Sequence, residues 1–179
     1  MKFRIGDFKS TLREEKEPLI RLMLAAGVVF ILDQLSKLLV EKMIPINSHS
    51  EILSGFFALV HWGNTGAAWS LFTGQNILLG WFGLLSLGFI YFFRRFLEFS
   101  HPLGQIGMGL MMGGITGNLV DRFFRGHVVD FLYFFIYTRS GKELGYPAFN
   151  IADIGICVGV GILFILGIFH IKKNAEQDG

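Results

Sequence analysis

Hydrophobic residues form four long runs along the chain, and each run has about the length that a membrane helix needs. The runs cover residues 19–40, 77–93, 103–120 and 151–171. A bilayer core takes roughly 20 apolar residues in helical form. The pattern therefore predicts an α-helical membrane protein with four transmembrane helices. The first run follows a basic stretch, as in a leader peptide, but it is too long and has no small-residue cleavage site after it, so an uncleaved helix is expected.

Two segments that are more polar than these runs lie between them, at 41–76 and 121–150. Residues 56–62 alternate in a way typical of a strand, and Gly63-Asn64 and Thr65-Gly66 have the composition of turns. A small β-sheet on the outer surface of the bundle is predicted there. The aromatic segment Phe131–Tyr137 is too short to span a bilayer, so an interfacial element is predicted for it.

Positive charge is concentrated in three places: the tail 1–18, Arg94-Arg95 and Lys172-Lys173. In a four-span chain these places share one side, and Lys and Arg favour the cytoplasmic side. Both termini are therefore expected in the cytoplasm, with 41–76 and 121–150 on the outer face.

The composition supports one membrane domain that covers residues 1–179. The chain is 52% hydrophobic and only 17% charged, with a mean hydropathy of +0.52. A net charge of +2 does not suggest nucleic-acid binding, and a single cysteine, Cys157, excludes a disulfide within the chain.

The third run contains a glycine stripe at Gly109, Gly113 and Gly117, and the fourth contains Gly155 and Gly159. Small residues at such spacing let helix backbones approach closely. Packing alone explains these glycines. Its expected consequence is that the ends of spans three and four, with their acids, come close together.

Polar residues border these runs where hydrocarbon disfavours them. A charged residue at a helix centre costs about 2.5–3.5 kcal/mol on insertion scales, and less near an interface. Such residues usually do chemistry or move something across the membrane.

Asp130 and Asp153 are the main catalytic candidates. Singly, each has an ordinary explanation: Asp130 as a solvated loop acid, and Asp153 as part of a helix start capped by Asn150. Together they border the same pair of glycine-packed helices. Two close carboxylates share one proton, so one acts as general base on water and the other as general acid.

Two further sets share helix faces. Asn118, Asp121 and Arg122 lie at spacing i, i+3, i+4, either as an interfacial ion pair or as a brace that holds substrate carbonyls and orients the acids. Asp33 and Lys37 lie at i, i+4 and form a structural pair, whereas a Ser36–Lys37 dyad is disfavoured because adjacent helical residues point apart. His49, His61 and His127 show no zinc-binding spacing.

Five motifs, in order, resemble the bacterial lipoprotein signal peptidases, the type II signal peptidases. They are Asp33-Gln34-Leu35-Ser36-Lys37, Asn64-Thr65-Gly66-Ala67-Ala68, the stretch from Gly113 to Arg122, Gly126-His127-Val128-Val129-Asp130-Phe131, and Phe149-Asn150-Ile151-Ala152-Asp153. Two departures are that Trp69 replaces an expected Phe and that the segment from Phe131 to Pro147 is long.

The resemblance implies an aspartyl endopeptidase of the bacterial inner membrane with its active site towards the periplasm. It would cut diacylglyceryl-modified prolipoproteins just before the lipidated cysteine. The implied catalytic pair is Asp130 and Asp153. The implied supporting residues are Asp33, Lys37, Asn64, Gly66, Asn118, Asp121, Arg122, Asn150 and Ala152.

The same resemblance implies neither metal nor cofactor, a monomer in contact with membrane lipid, and inhibition by peptides of the globomycin type. It also implies a small periplasmic β-cradle and a short interfacial helix, which suit residues 44–75 and Phe131–Tyr137.

A proton-coupled transporter using the same acids as a relay is the competing hypothesis. It accounts less well for acids gathered at one rim beneath a sheet, and the chain has no internal repeat. A purely structural membrane protein leaves the polar residues unexplained.

Overall fold

A computed structural model describes residues 5–66, 72–94 and 101–177, with side chains for 19–66, 72–94 and 101–169. The sequence interpretations that concern residues 1–4, Ala67-Ala68-Trp69 and Arg95 lie outside the described residues. So do the side chains of the basic tail and of Lys172-Lys173.

Four helices occupy the four hydrophobic runs. They are α1 (Ile5–Met43), α2 (Asn76–Phe93), α3 (Pro102–Val120) and α4 (Ile151–Gln177). Among the described residues, three segments are long and apolar enough to cross a membrane: Leu19–Met43, Asn76–Phe93 and Ile151–Phe169. Most of their side chains point away from the protein, as expected for a lipid-facing surface. Glycine and polar residues make α3 less apolar, because α3 is the central helix and packs against α1, α2 and α4.

Glycines bring α3 into backbone contact with two neighbours. A Cβ on Gly109 or Gly113 would collide with carbonyl oxygens of α1, and one on Gly117 would meet Asp33. The stripe therefore faces α1. The expected close approach of the third and fourth helices is present, but it is made by other glycines: a Cβ on Gly114 would collide with the carbonyl of Ala152 in α4, and one on Gly159 of α4 would collide with the carbonyl of Gly107. A helix with small residues on two faces packs closely on both sides.

Four antiparallel strands form the sheet in the order β1 (His49–Leu53), β2 (Phe57–Asn64), β3 (Val128–Tyr137) and β4 (Glu143–Gly145). The β structure predicted in the first outer segment is present. Gly63 and Asn64, expected in a turn, lie in β2, whereas Thr65 and Gly66 follow the strand, with Gly66 in a bend, and the β1–β2 hairpin turns at 54–56.

The assignment of Phe131–Tyr137 to a short interfacial helix is also wrong, because these residues lie in β3. Phe131 and Phe135 are buried, and the segment pairs with β2 on one edge and β4 on the other. Its aromatic residues build the sheet core, with Phe135 packing on Ala58 and Val60. The long segment from Phe131 to Pro147 is thus a hairpin.

Hydrophobic contacts attach the sheet to the end of α1. Val40 of α1 and Ile44, which directly follows α1, pack on Val129 and Phe131 of β3. This contact holds the start of β3, and therefore Asp130, against the helices.

Candidate active site

Asp153 is held by a reciprocal cap at the start of α4. The Asp153 N–H donates to Asn150 Oδ1 at 3.0 Å, and the Asn150 N–H donates to Asp153 Oδ2 at 3.1 Å. Two backbone N–H groups that a helix leaves unpaired are satisfied in this way. Asn118 Nδ2 donates to the other oxygen, Asp153 Oδ1, at 2.9 Å. The predicted cap is therefore present, and it also fixes the orientation of the Asp153 carboxylate.

Asp130 reaches the same place from β3. It lies opposite Trp62 of β2 and is 4% exposed. Asn64 Nδ2 donates to Asp130 Oδ2 at 2.9 Å, and Asn150 Nδ2 donates to Asp130 Oδ1 at 2.8 Å. Asn150 thus contacts both carboxylates, through its amide and through its backbone. The structure brings together the two acids that the sequence singled out.

The environment of Asp130 raises the pKa of its carboxyl from 3.8 to about 7. Burial is the largest cause, and the negative charge of Asp153 is the second. The hydrogen bonds from Asn64 and Asn150 oppose the shift. A carboxyl with such a pKa is about half protonated at neutral pH, where an ordinary Asp is almost fully ionised, and an acid-base pair of carboxylates requires one protonated member.

Both carboxylates line one cavity of about 860 Å³ at the junction of sheet and helices. Its lower wall is Ile156 and Cys157 of α4, and its upper wall includes Trp62 and Tyr133 of the sheet. A cavity of this size has room for several residues of a peptide beside the two acids.

Lys37 is the centre of a buried ionic cluster beside this cavity. Its Nζ lies 2.8 Å from Asp33 Oδ2 and 2.7 Å from Asp121 Oδ2, and all three side chains are 0% exposed. Nζ also donates to Asn118 Oδ1 at 3.0 Å. Asn118 therefore connects the cluster to Asp153. Asp33 holds the start of α4 directly, because its Oδ1 accepts the Ala152 N–H at 2.9 Å.

A π-helical turn at Asp121–Arg125 continues α3. Asn118 and Asp121 share a face, as expected, because both contact Lys37 of α1, whereas Arg122 does not. Asp121 Oδ2 also accepts the Val129 N–H of β3 at 3.2 Å. Asp121 thereby positions the residue next to Asp130. Such turns are often found at functional sites.

Arg122 points to the outer segment instead. Its Nη2 donates to the Gly66 carbonyl at 2.8 Å, and its Nη1 donates to Asn76 Oδ1 at 3.0 Å. The Gly66 N–H in turn donates to Asn64 Oδ1 at 2.8 Å. Arg122 thus fixes the loop that presents Asn64 to Asp130. We expected the Arg122 guanidinium group to hold a substrate carbonyl or an acid. In this structure its two terminal nitrogens donate to Gly66 and Asn76 instead.

The sequence analysis missed four residues of this framework: Gln34, Glu41, Asn76 and Arg125. Arg125 pairs with Asp121 at 2.6 Å and with Glu41 at 2.9 Å. A signal for Glu41 was present, since Asp33, Lys37 and Glu41 recur every four residues on α1. No local sequence pattern indicates Asn76 as a site residue.

Within residues 5–66, 72–94 and 101–177 the structure contains no group of three or more His, Cys, Asp or Glu side chains able to hold a metal. Two of the candidate histidines contact different parts of the protein. His61 Nδ1 contacts the Ile44 carbonyl at 2.8 Å, and the His127 ring packs against Gly63.

Comparison with known proteins matches residues 25–169 to the family model of signal peptidase II. The chain belongs to the signal peptidase II family. The lipoprotein signal peptidase of Symbiobacterium thermophilum is 40% identical over 141 residues, which cover 78% of this chain and 89% of that protein. The Bacillus subtilis enzyme is 37% identical over 158 residues (85% and 96%), and the Synechocystis enzyme is 38% identical over 161 residues (89% and 93%).

Two solved structures, described as bacterial membrane enzymes, have similar folds. One, at 2.3 Å resolution, has a TM-score of 0.69 and 28% identity, with 86% of this chain and 90% of that chain covered. The other, at 1.9 Å resolution, has a TM-score of 0.64 and 29% identity, with 82% and 91% covered. Signal peptidase II is a family of aspartic peptidases, so the chain is such an enzyme and the transporter hypothesis has no support.

Proposed function

We propose that Asp130 and Asp153 are the catalytic carboxylates with which this signal peptidase removes signal peptides from prolipoproteins. The reaction class follows from the family, and the assignment of roles rests on one observation. Asn150 hydrogen-bonds to both carboxylates, and both line one cavity. The substrates carry diacylglycerol on a cysteine, and the enzyme cuts the bond before that cysteine.

We assign different roles to the two acids from their contacts. Asp153 lies in the first turn of α4 and its carboxylate accepts the Asn150 N–H, a contact that stabilises the charged form at a helix N-terminus. Asp130 is buried in the sheet, and its pKa of about 7, raised by burial and by the charge of Asp153, leaves about half of it protonated at neutral pH. Asp153 is therefore the general base that takes a proton from water. Asp130 is the acid that donates a hydrogen bond to the oxyanion formed when that water attacks the scissile carbonyl.

The supporting residues keep these two groups in position. Asn118 and Asn64 each hold one carboxylate, and Lys37 compensates the charge of Asp33 and Asp121. Arg122 holds the loop of Asn64 through Gly66, and Ala152 connects α4 to Asp33. No covalent intermediate, metal or cofactor is part of this scheme.

The location of the reaction follows from the charge distribution. The basic ends of the helices favour the cytoplasmic side of a bacterial inner membrane, and the sheet and both acids lie at the other ends. We place the cavity at the periplasmic surface, with α3 as a fourth span. The acyl chains of the substrate stay in the bilayer while the peptide enters the cavity. Peptide inhibitors of the globomycin type would occupy the same cavity, in a monomer.

Cleavage of a fluorescent diacylglyceryl lipopeptide by purified protein tests the proposal. Asp130→Asn and Asp153→Asn should each lower kcat by at least about 10²–10⁴-fold, the usual contribution of a general acid or base. The exposed Glu51→Gln is the matched control and should retain activity, as should the wild-type enzyme in EDTA. Near-normal turnover by either Asp variant would refute the assignment.

A further inference from the structure

The outer edge of β4 borders the catalytic cavity. β4 is the last strand of the sheet, and no other described strand pairs with its second edge. Gly145, Pro147 and Ala148 line the same cavity as the two acids. An unpaired strand edge offers N–H and C=O groups to another extended chain.

The hydrogen bonds of this segment show which groups are directed outward. Tyr146 and Phe149 donate their N–H groups to carbonyls of β3, at 2.8 and 3.1 Å. In antiparallel pairing, such positions alternate with positions whose N–H and C=O point to the opposite edge. Tyr146 and Phe149 are three residues apart, whereas their partners Phe134 and Leu132 are two apart, so one extra residue lies in a bulge between them. Gly145 and Ala148 each directly precede a bonded position, so the alternation places their main-chain groups on the edge away from β3.

This edge leads straight to the catalytic pair. Asn150, which donates to Asp130, comes two residues after Ala148 and five residues after Gly145. At about 3.3 Å per residue, the outward main-chain groups of Ala148 and Gly145 lie roughly 7 and 16 Å along the chain from Asn150, which contacts both catalytic acids. A substrate in extended form, with its scissile bond at the dyad, reaches them with about its second to fifth residue.

The topology indicates which half of the substrate lies there. α4 enters its apolar segment at Ile151, so the preceding residues lie on the outer side. The apolar run of a signal peptide stays in the bilayer, whereas the polypeptide after the cleaved bond continues outward.

We infer that the main-chain edge from Gly145 to Ala148, the β4 edge, binds the substrate segment that follows the lipidated cysteine, as an added β-strand. This inference rests on the proposed function. Main-chain hydrogen bonds supply the affinity in this type of recognition. They do not depend on side chains, so the edge accepts extended polypeptide of varied sequence.

An ester scan of the substrate tests the inference. In a series of diacylglyceryl lipopeptides, each amide N–H from the first to the sixth residue after the cysteine is replaced in turn by an ester oxygen. Alternate replacements should raise KM about three- to tenfold, the effect of one main-chain hydrogen bond, and those between them should have little effect. A flat profile across the six positions would overturn it.

An enzyme variant provides the reciprocal test. Ala148→Pro removes the outward N–H, and Ala148→Val adds similar bulk while keeping it. Ala148→Pro should raise KM for the parent lipopeptide about three- to tenfold relative to Ala148→Val. Equal KM values would overturn the inference, and if the Pro variant does not fold, the ester scan on wild-type enzyme decides. Cleavage of the parent lipopeptide by wild-type enzyme tests the proposed function separately.

Discussion

Replacing Lys37 by Met should destabilise the protein strongly, although Met has nearly the same length. Lys37 lies within 2.8 Å of Asp33 and 2.7 Å of Asp121, and all three are fully buried. Removing the cation leaves the fully buried Asp33 carboxylate without a positive partner and takes one of two positive partners from Asp121. Breaking a buried ion pair from one side typically costs about 3–5 kcal/mol.

The structure indicates how this loss divides between the two acids. Asp121 keeps a second cation, because Arg125 lies 2.6 Å from its other oxygen. Asp33 keeps only uncharged donors, the Ala152 N–H and Gln34. Most of the destabilisation should therefore come from Asp33, and adding Asp33→Asn to Lys37→Met should recover much of it.

Thermal unfolding in detergent measures the effect. About 3–5 kcal/mol corresponds to a Tm lower by about 6–20 °C for a chain of this size. The control is Glu41→Gln, which breaks the half-exposed pair with Arg125 and should cost less than about 1 kcal/mol. A Lys37→Met variant with the Tm of the wild type, or a double variant less stable than the single one, would refute the reasoning.

Three further predictions concern the site and its framework. Because Asp130 holds its proton up to about pH 7, the kcat of cleavage should fall as the pH rises through that value. Asn64→Leu should move this fall in kcat to higher pH, because the Asn64 hydrogen bond lowers the Asp130 pKa. If kcat fell at the same pH as in the wild type, the assignment would be contradicted. Arg122→Lys should lower kcat/KM at least about tenfold, because an ammonium group cannot reproduce the two forked hydrogen bonds to Gly66 of the loop and Asn76 of α2, and equal activity would make Arg122 an interfacial charge only. Gly114→Ala should lower the free energy of unfolding by about 1–3 kcal/mol by pushing α4 away, whereas Gly161→Ala, with open space, should not; similar Tm values would argue against the close packing.

The catalytic roles of Asp130 and Asp153 stay predictions, but their proximity was foreseeable in part. The helical cap of Asn150 and Asp153 is a contact within one turn, so the local sequence indicates it. The position of Asp130 is different. It depends on the register of β3 against β2, which shifts between Leu59 and Trp62, and no local pattern shows that irregularity.

The sequence by itself determined the helices, the membrane character of the chain and the identity of the polar residues, because apolar periodicity, length and helix caps are properties of neighbouring residues. Only the tertiary structure decided the partners of these residues. Lys37 and Asp121 are far apart in the chain, and they meet because Gly113 and Gly117 let α3 lie against α1. Phe131–Tyr137 became a strand because β2 and β4 pair with both of its edges. Contacts between distant segments depend on backbone approach and strand register, which a local pattern of side chains does not specify.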